Sequence, residues 1–465
     1  MLFNSYIYIF AFLPAVFFIY FFLVKKGWLL ASKTLLVLAS LFFYSWWNPV
    51  YLPLILISMF VNYGIGTTIS NDKAKGYKNI LLITGIVFNV ALLGYFKYAD
   101  FFINNINFIT DANIPLLHLA LPLAISFFTF QQIAYLVDSY KGETKEYDLL
   151  NYMVFVSFFP QLIAGPIVHH KEMMPQFDDK ENKKINYKNI TMGIFIFAIG
   201  LFKKGVIADS LSPYVAQGFD ISPQLGFLEA WSTTLAYAMQ LYYDFSGYTD
   251  MAIGSALLFN IKLPINFNSP YKAVSIQDFW RRWHITLSRF LRDYIYIPLG
   301  GNRKGEFRTY HNLFMTFLIG GIWHGAGWTF VFWGFLHGIA MVIHRMWKQM
   351  GKSMNFYLAW FVTFFFVNVT WVFFRAKEWD DAIKVLKGMF GLNGLKLPTY
   401  YFNGETYLPL FVLFVSMIAA LFAKNSMEMI KDFRPGFRVA LVGGGVFAFS
   451  TLFLTRVSEF LYFNF

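Results

Sequence analysis

The segment IGGIWHGAGW, residues 319–328, places one histidine, His324, among five small residues and two tryptophans, Trp323 and Trp328. His324 is the only side chain between Thr316 and Thr329 that carries a basic nitrogen. An imidazole in such a place can serve as a general base near neutral pH. Five small neighbours, Gly320, Gly321, Gly325, Ala326 and Gly327, open the backbone to close packing or to a ligand, with the tryptophans as walls. The other reading is a histidine satisfied by a backbone carbonyl where two helices cross. A second histidine, His284, lies in SIQDFWRRWHITLSRFLRDYIYIPLGG beside Arg281 and Arg282. It either packs at an interface among arginines or orients a substrate. Asp244 and Asp250, in YYDFSGYTDMAIG, are acids within an apolar run, where a lone carboxylate is costly. They are counter-ions to Arg281, Arg282 or a lysine, or they orient one of the histidines. Gln161 stands between Pro160 and Pro166 in FFPQLIAGPIVHH.

These residues require particular elements. Pro160 and Pro166 predict a broken or re-entrant helix, tolerated at membrane depth only when buried in protein or lining a cavity. Ser275 followed by Asp278 has capping-box spacing, so a helix is expected to start there. Trp280, Trp283, Leu287, Phe290, Leu291 and Tyr294 then form one stripe, which predicts a single helix through His284, ended by Pro298 and Gly300–Gly301 and lying at the cytoplasmic interface. His169 and His170 are adjacent and face apart, so no metal site is expected from them. The apolar runs at 34–62 and 311–343 are each read as two crossings, interrupted at Trp47–Pro49 and in the glycine-rich stretch 320–338. More polar helices are expected at 112–137, 150–168 and 225–243.

The rest of the chain makes this a membrane protein. Of 465 residues 57% are hydrophobic and only 14% charged, against about 25% in soluble domains. Further runs at 5–24, 79–96, 189–202, 356–374, 407–423 and 439–454 are long enough to cross or nearly cross a bilayer. The total is about 10 to 13 helices in one membrane domain over 1–465, with the motif-bearing core at 120–345. The first run lacks a basic n-region and is followed by more spans rather than a small-residue cleavage site, so it reads as a helix of the mature chain. Cysteine is absent, which excludes disulfides and thiolate chemistry. The net charge of +12 lies in short loops beside apolar spans, which fits anionic lipid head groups and not nucleic acid. Lys25, Lys26, Lys33, Lys73, Lys75 and Lys78 place the first and third connections inside and the N-terminus outside. The basic segment from Lys171 to Lys188 breaks that alternation, so either an intervening helix is re-entrant or the span count is wrong by one. No serine elbow, Walker A or dinucleotide fingerprint is present.

WRRWHITLSRFLRDYIYIPLGG at 280–301 and GIWHGAGW at 321–328 resemble the membrane-bound O-acyltransferase family, in its bacterial polysaccharide O-acetylation branch. SFFTFQQIAYLVDSY at 126–140, FFPQLIAGPIVHHKEMMPQF at 158–177 and YYDFSGYTDMAIG at 242–254 are similar to the same branch. The resemblance implies an all-α polytopic bundle with interfacial or re-entrant central helices, His324 as the catalytic histidine and His284 as the second active-site position. It also implies an acetyl group taken from acetyl-CoA or another cytoplasmic thioester, no bound cofactor or metal, and an extracytoplasmic acetyltransferase partner in a bacterial inner membrane. Asp244, Asp250, Gln161, Arg281, Arg282, Trp323 and Trp328 are candidates for the substrate path. D-alanyl transfer onto teichoic acid, a flippase without chemistry and a noncatalytic anchor are the competing functions.

Overall fold

Hydrocarbon offers no water to a peptide group, so each apolar run must satisfy its own backbone and becomes a helix. The computed structural model describes residues 1–71, 76–146, 148–163, 165–397, 408–454 and 461, and its secondary structure is helical throughout. A π-turn, Tyr8–Phe12, leads into α1 (Leu13–Lys25), followed by α2 (Leu29–Ser45) and α3 (Leu52–Ser70). The expected interruption between α2 and α3 is made by Asn48, whose side chain accepts from the Val50 N–H at 3.0 Å. α4 (Lys78–Leu93), a π-turn at Gly94–Tyr98 and α5 (Ala99–Thr110) form one 33-residue rod.

The polar helix expected at 112–137 begins only with α6 (Ile125–Tyr140). Residues 111–124 are irregular because Pro115 and Pro122 interrupt them and Asp111, His118 and Ala124 take positive φ. The loop is held instead by side chains of α5. Asp100 accepts from the Leu117 and His118 N–H groups, and Asn107 accepts from Ile114.

α7 (Leu149–Ser157) and α8 (Phe159–Leu162) are parted at Phe158 and followed by α9 (His170–Asp178). The tip reaches inward, where the Phe159 N–H donates to Ser40 halfway along α2 at 3.0 Å. Both ends return to one level. Lys33, near the start of α2, donates to Asn151 on α7 at 2.7 Å and to Asp178 at the end of α9 at 3.1 Å. The segment therefore enters and leaves on the same side. That re-entrant passage explains why Lys171–Lys188 falls on the basic side against simple alternation.

α10 (Tyr187–Leu201), a π-helical stretch (Phe202–Ala208), α11 (Asp209–Ala216) and a second π-turn (Gln217–Ile221) form another rod. It packs against α12 (Phe227–Leu258), whose 32 residues are almost wholly buried. Glycines set this contact. A Cβ at Gly200 would lie 2.5 Å from the Gly247 carbonyl oxygen, and one at Gly193 would lie 2.7 Å from that of Gly254. Small residues seven apart on both helices let the backbones touch.

Beyond it come α13 (Ile276–Arg282) and α14 (Ile285–Leu291), the latter running into a π-turn at Arg292–Tyr296. Ser275 caps α13 as its spacing predicts, accepting from the Asp278 N–H at 3.1 Å. The single helix expected through His284 is broken there, with His284 at φ 44° and ψ 55°. The cause is the loop before α13, which takes over the backbone groups. The Asn268 N–H donates to the Arg282 carbonyl at 2.9 Å, and the Ile285 N–H donates to the Asn266 carbonyl at 3.0 Å. Aromatic periodicity continues across the break and therefore hides it.

The remaining helices are α15 (Glu306–His324), α16 (Trp328–Gln349), α17 (Phe356–Arg375), α18 (Trp379–Met389), α19 (Leu408–Phe422), α20 (Ser426–Lys431) and α21 (Phe437–Thr451). Among the described residues six helices are long and apolar enough to cross a membrane, and three shorter apolar ones accompany them. The chain is thus an all-helical, polytopic membrane bundle. The α10–α12 contact gives a direct test. A Cβ at Gly247 would meet the Gly200 oxygen at 2.7 Å and the Lys204 nitrogen at 2.9 Å, whereas one at Gly445 meets nothing within 4 Å. Gly247→Val should therefore cost about 1–3 kcal/mol of stability and lower the thermal unfolding midpoint in detergent, while Gly445→Ala leaves it in place.

Candidate active site

α15 and α16 fold back on each other through Gly325, Ala326 and Gly327. A Cβ at Gly321 would come 2.7 Å from the Gly334 Cα, and one at Gly325 would enter the Phe330 ring at 2.3 Å. The two helices consequently touch backbone to backbone, and His324, the last residue of α15, is pressed into aromatic surroundings. Its ring meets Trp323 at 4.9 Å, Trp333 of α16 at 5.1 Å and Phe374 of α17 at 5.1 Å, each edge to face. It is 2% exposed. Its surroundings are a narrow constriction of rings.

His284 also borders Trp323, whose indole is 6.4 Å from the His284 ring. His284 is fully buried, and Phe245 of α12 stands edge-on to it at 4.7 Å. Asn266 holds this corner. Its side-chain oxygen accepts from the Thr286 N–H at 3.2 Å and the Thr286 hydroxyl at 2.7 Å, and meets His284 Nδ1 at 3.3 Å. Since the Thr286 N–H can only donate, that Asn266 atom is the oxygen, and His284 Nδ1 must carry a proton toward it. In the neutral ring Nε2 is then the acceptor nitrogen. Thr286 also accepts from the Ile167 N–H at 3.0 Å, which ties the re-entrant segment to the histidine bend.

Trp323 is itself fixed. Phe130 of α6 stacks on it at 4.9 Å and 16°, and Phe290 of α14 stacks on Phe130 at 4.0 Å. A third buried histidine, His337, is committed to packing. The Trp280 indole can only donate, so His337 Nδ1 accepts from it at 3.2 Å and Nε2–H is left to donate to Thr370 at 3.1 Å.

The other residues singled out by sequence are spread more widely. Asp244 pairs with Lys204 at 2.7 Å and Asp250 with Lys203 at 2.7 Å, so the acids join α12 to the π-helical stretch after α10. Lysines, and not Arg281 or Arg282, are these counter-ions. Arg282 pairs with Asp278 at 2.9 Å. Arg281 lines a groove of about 980 Å³ between α13, α16 and α17. Gln161 is buried in the re-entrant turn, donating to the Phe155 carbonyl at 2.7 Å. Trp328 is 55% exposed and donates to Asn105 at 2.9 Å. His169 meets Asp138 and Tyr294, and His170 meets Glu146.

Below the histidines a cleft of about 310 Å³ opens between α13, α14, α15 and α16. Arg292, His344, Arg345 and Lys348 stand at its rim, and Trp280, Thr316 and Phe317 farther in. Thr316 precedes His324 by eight residues, or about 12 Å along α15. Arg289 pairs with Glu172 at 2.7 Å and so joins α14 to α9, whose far end meets Lys33. The cleft therefore opens on the side that the basic loops mark as cytoplasmic.

Sequence reasoning overlooked Asn266 and Lys97. Lys97 stands just past the end of the apolar run 79–96 and reads there as an ordinary flanking lysine; Asn266 lies in a loop with no periodicity to mark it.

Two buried imidazoles border one indole, above a basic cleft and inside a helical membrane bundle, and the sequence comparisons give the class of this bundle as a membrane-bound acyltransferase. The profile of the membrane-bound O-acyltransferase family matches residues 10–377, and the chain belongs to that family of O-acyltransferases. It is 50% identical to the peptidoglycan O-acetyltransferase of Helicobacter pylori, covering all of this chain and 98% of that one. The probable alginate O-acetylase of Pseudomonas aeruginosa is 40% identical over 85% of this chain and 76% of its own. The teichoic acid D-alanyltransferase of Bacillus subtilis is 28% identical over 55% of this chain and 69% of its own. The multi-pass fold is consistent with a bacterial inner membrane.

Asn266 offers the test of this geometry. Asn266→Ala deprives the Thr286 N–H of its acceptor inside a buried corner, a loss of about 1–3 kcal/mol. The unfolding midpoint in detergent should fall accordingly, and an unchanged midpoint would show that the His284 bend is held by something else.

Proposed function

We propose that the enzyme takes an acetyl group from a cytoplasmic thioester and delivers it for O-acetylation of a cell-envelope polysaccharide, with His324 as the general base. The observation that carries this reading is the convergence of His324 and His284 on Trp323, about 12 Å along α15 from a cleft rimmed by Arg292, Arg345 and Lys348. A pantetheine thioester, whether of coenzyme A or of a carrier protein, has an anionic end suited to that rim and an uncharged arm suited to the interior. Acetyl is favoured over D-alanyl because the O-acetylating relatives match at 40–50% over most or all of the chain. The D-alanyl relative matches at 28% over about half.

In the step itself a nitrogen of His324 accepts the proton of the acceptor hydroxyl as its oxygen attacks the thioester carbonyl carbon. The tetrahedral intermediate collapses, the carbon–sulfur bond breaks, and the departing thiolate takes the proton back from the imidazolium. The ring returns to its starting state. His284 is assigned to orient the reacting groups, since Asn266 fixes which of its nitrogens carries hydrogen. An extracytoplasmic acetyltransferase partner completes delivery onto the sugar.

The test is His324→Ala, assayed as transfer from a radiolabelled acetyl thioester per monodisperse, folded molecule. Loss of a positioned base lowers turnover by about 10² to 10⁴. Donor affinity should stay near the parent's, while the unfolding midpoint falls, because alanine leaves a gap among Trp323, Trp333 and Phe374; turnover is therefore counted per folded molecule. A variant that keeps more than about a tenth of normal turnover excludes the general-base role.

A further inference from the structure

Lysine in a membrane helix is ordinarily found snorkelling to the interface or paired with a carboxylate. Lys97 does neither. It lies 19 residues beyond Lys78, about 28 Å along the α4–α5 rod, in the π-turn Gly94–Tyr98. Its ammonium donates to the Trp323 carbonyl at 2.5 Å, to the His324 carbonyl at 3.2 Å and to the Ser126 hydroxyl at 3.4 Å. Three donors meet three acceptors. The adjacent Tyr98 hydroxyl donates to the Ile322 carbonyl at 2.6 Å.

Those carbonyls belong to the last turn of α15. A helix end leaves four carbonyls without intrahelical partners and carries partial negative charge. A left-handed glycine usually folds the chain back to satisfy them. Gly325 is extended instead, at φ −162° and ψ 154°, because the chain must turn at once into α16. The end of α15 is therefore capped from another helix, by two consecutive residues of a π-turn, and a cation meets the negative pole of the helix.

We infer that Lys97 is a positioning residue for acyl transfer: it fixes the C-terminal turn of α15 and thereby the placement of the His324 imidazole. The inference rests on the assignment of His324 as base. The Lys97 ammonium also lies 5.6 Å from the Trp323 ring centroid, opposite in role to the Phe130 stack, so the indole shared by both histidines is held by the same residue.

The test compares Lys97→Met, Lys97→Arg and His324→Ala in the full-length enzyme with an acetyl thioester. Misplacement of a reacting group by about 1 Å costs about 10²-fold. Lys97→Met should accordingly lower kcat about 10²-fold with KM for the thioester unchanged, and Lys97→Arg, which keeps charge and donors, should recover much of that loss. Normal kcat per folded Lys97→Met molecule, or a loss confined to KM, overturns the inference. If Lys97→Met is not recovered folded, Lys97→Gln is measured in its place and held to the same two outcomes. Loss in His324→Ala with normal kcat in the Lys97 variant rejects the positioning role alone. Normal turnover in His324→Ala removes the base assignment and this inference with it.

Discussion

Charges and amides within a hydrocarbon slab have no solvent to turn to, so each must find its partner inside the protein, and that requirement selects which helices become neighbours. Lys204 pairs with both Asp209 and Asp244 at 2.7 Å, and Lys203 with Asp250, all at the contact of α12 with the rod after α10. Asn62 of α3 and Asn89 of α4 exchange amide hydrogen bonds at 2.6 and 3.2 Å. Apolar faces alone give little preference for one neighbour over another, because lipid tails are as apolar as leucine. Buried polar pairs supply that preference, and glycines bring the backbones near enough for the pairs to close.

The same requirement shapes the candidate site. Both histidines sit at helix ends, His324 as the last residue of α15 and His284 just before α14. Helix ends leave backbone groups unsatisfied, and here every visible remedy comes from another element. The loop at Asn266 serves His284, and the α4–α5 rod serves His324. Sites assembled in this way are rigid without being continuous in sequence. The re-entrant segment joins them through Ile167 and Thr286, so three separate chain regions meet within one corner.

Much of this was legible in the sequence, for identifiable reasons. Length and hydropathy give the spans, since hydrocarbon thickness sets them. The conflict in charge alternation leaves a re-entrant passage or a miscounted span, and Pro160 and Pro166 mark where such a passage would break. His324 declared itself by being a base among glycines. The break at His284 was hidden because its aromatic stripe keeps helical spacing while a distant loop captures the backbone. The irregular stretch at 111–124 was misread because its apolar content outweighed two prolines. Asp244 and Asp250 were recognisable as needing partners, yet several cations were available in sequence and only the fold chooses Lys204 and Lys203.

The capping of α15 by Lys97 also bears on how such a chain is made. Its acceptor at Trp323 lies 226 residues downstream. At a synthesis rate of about 5–20 residues per second, that carbonyl emerges roughly 11–45 s after the lysine does. Throughout that interval Lys97 lacks the carbonyls that later receive it. Lys204 differs, because Asp209 follows five residues later and can enter the bilayer with it as a neutral pair. The order of translation thus separates Lys204, whose partner follows five residues later, from Lys97, whose acceptors arrive only with the C-terminal half.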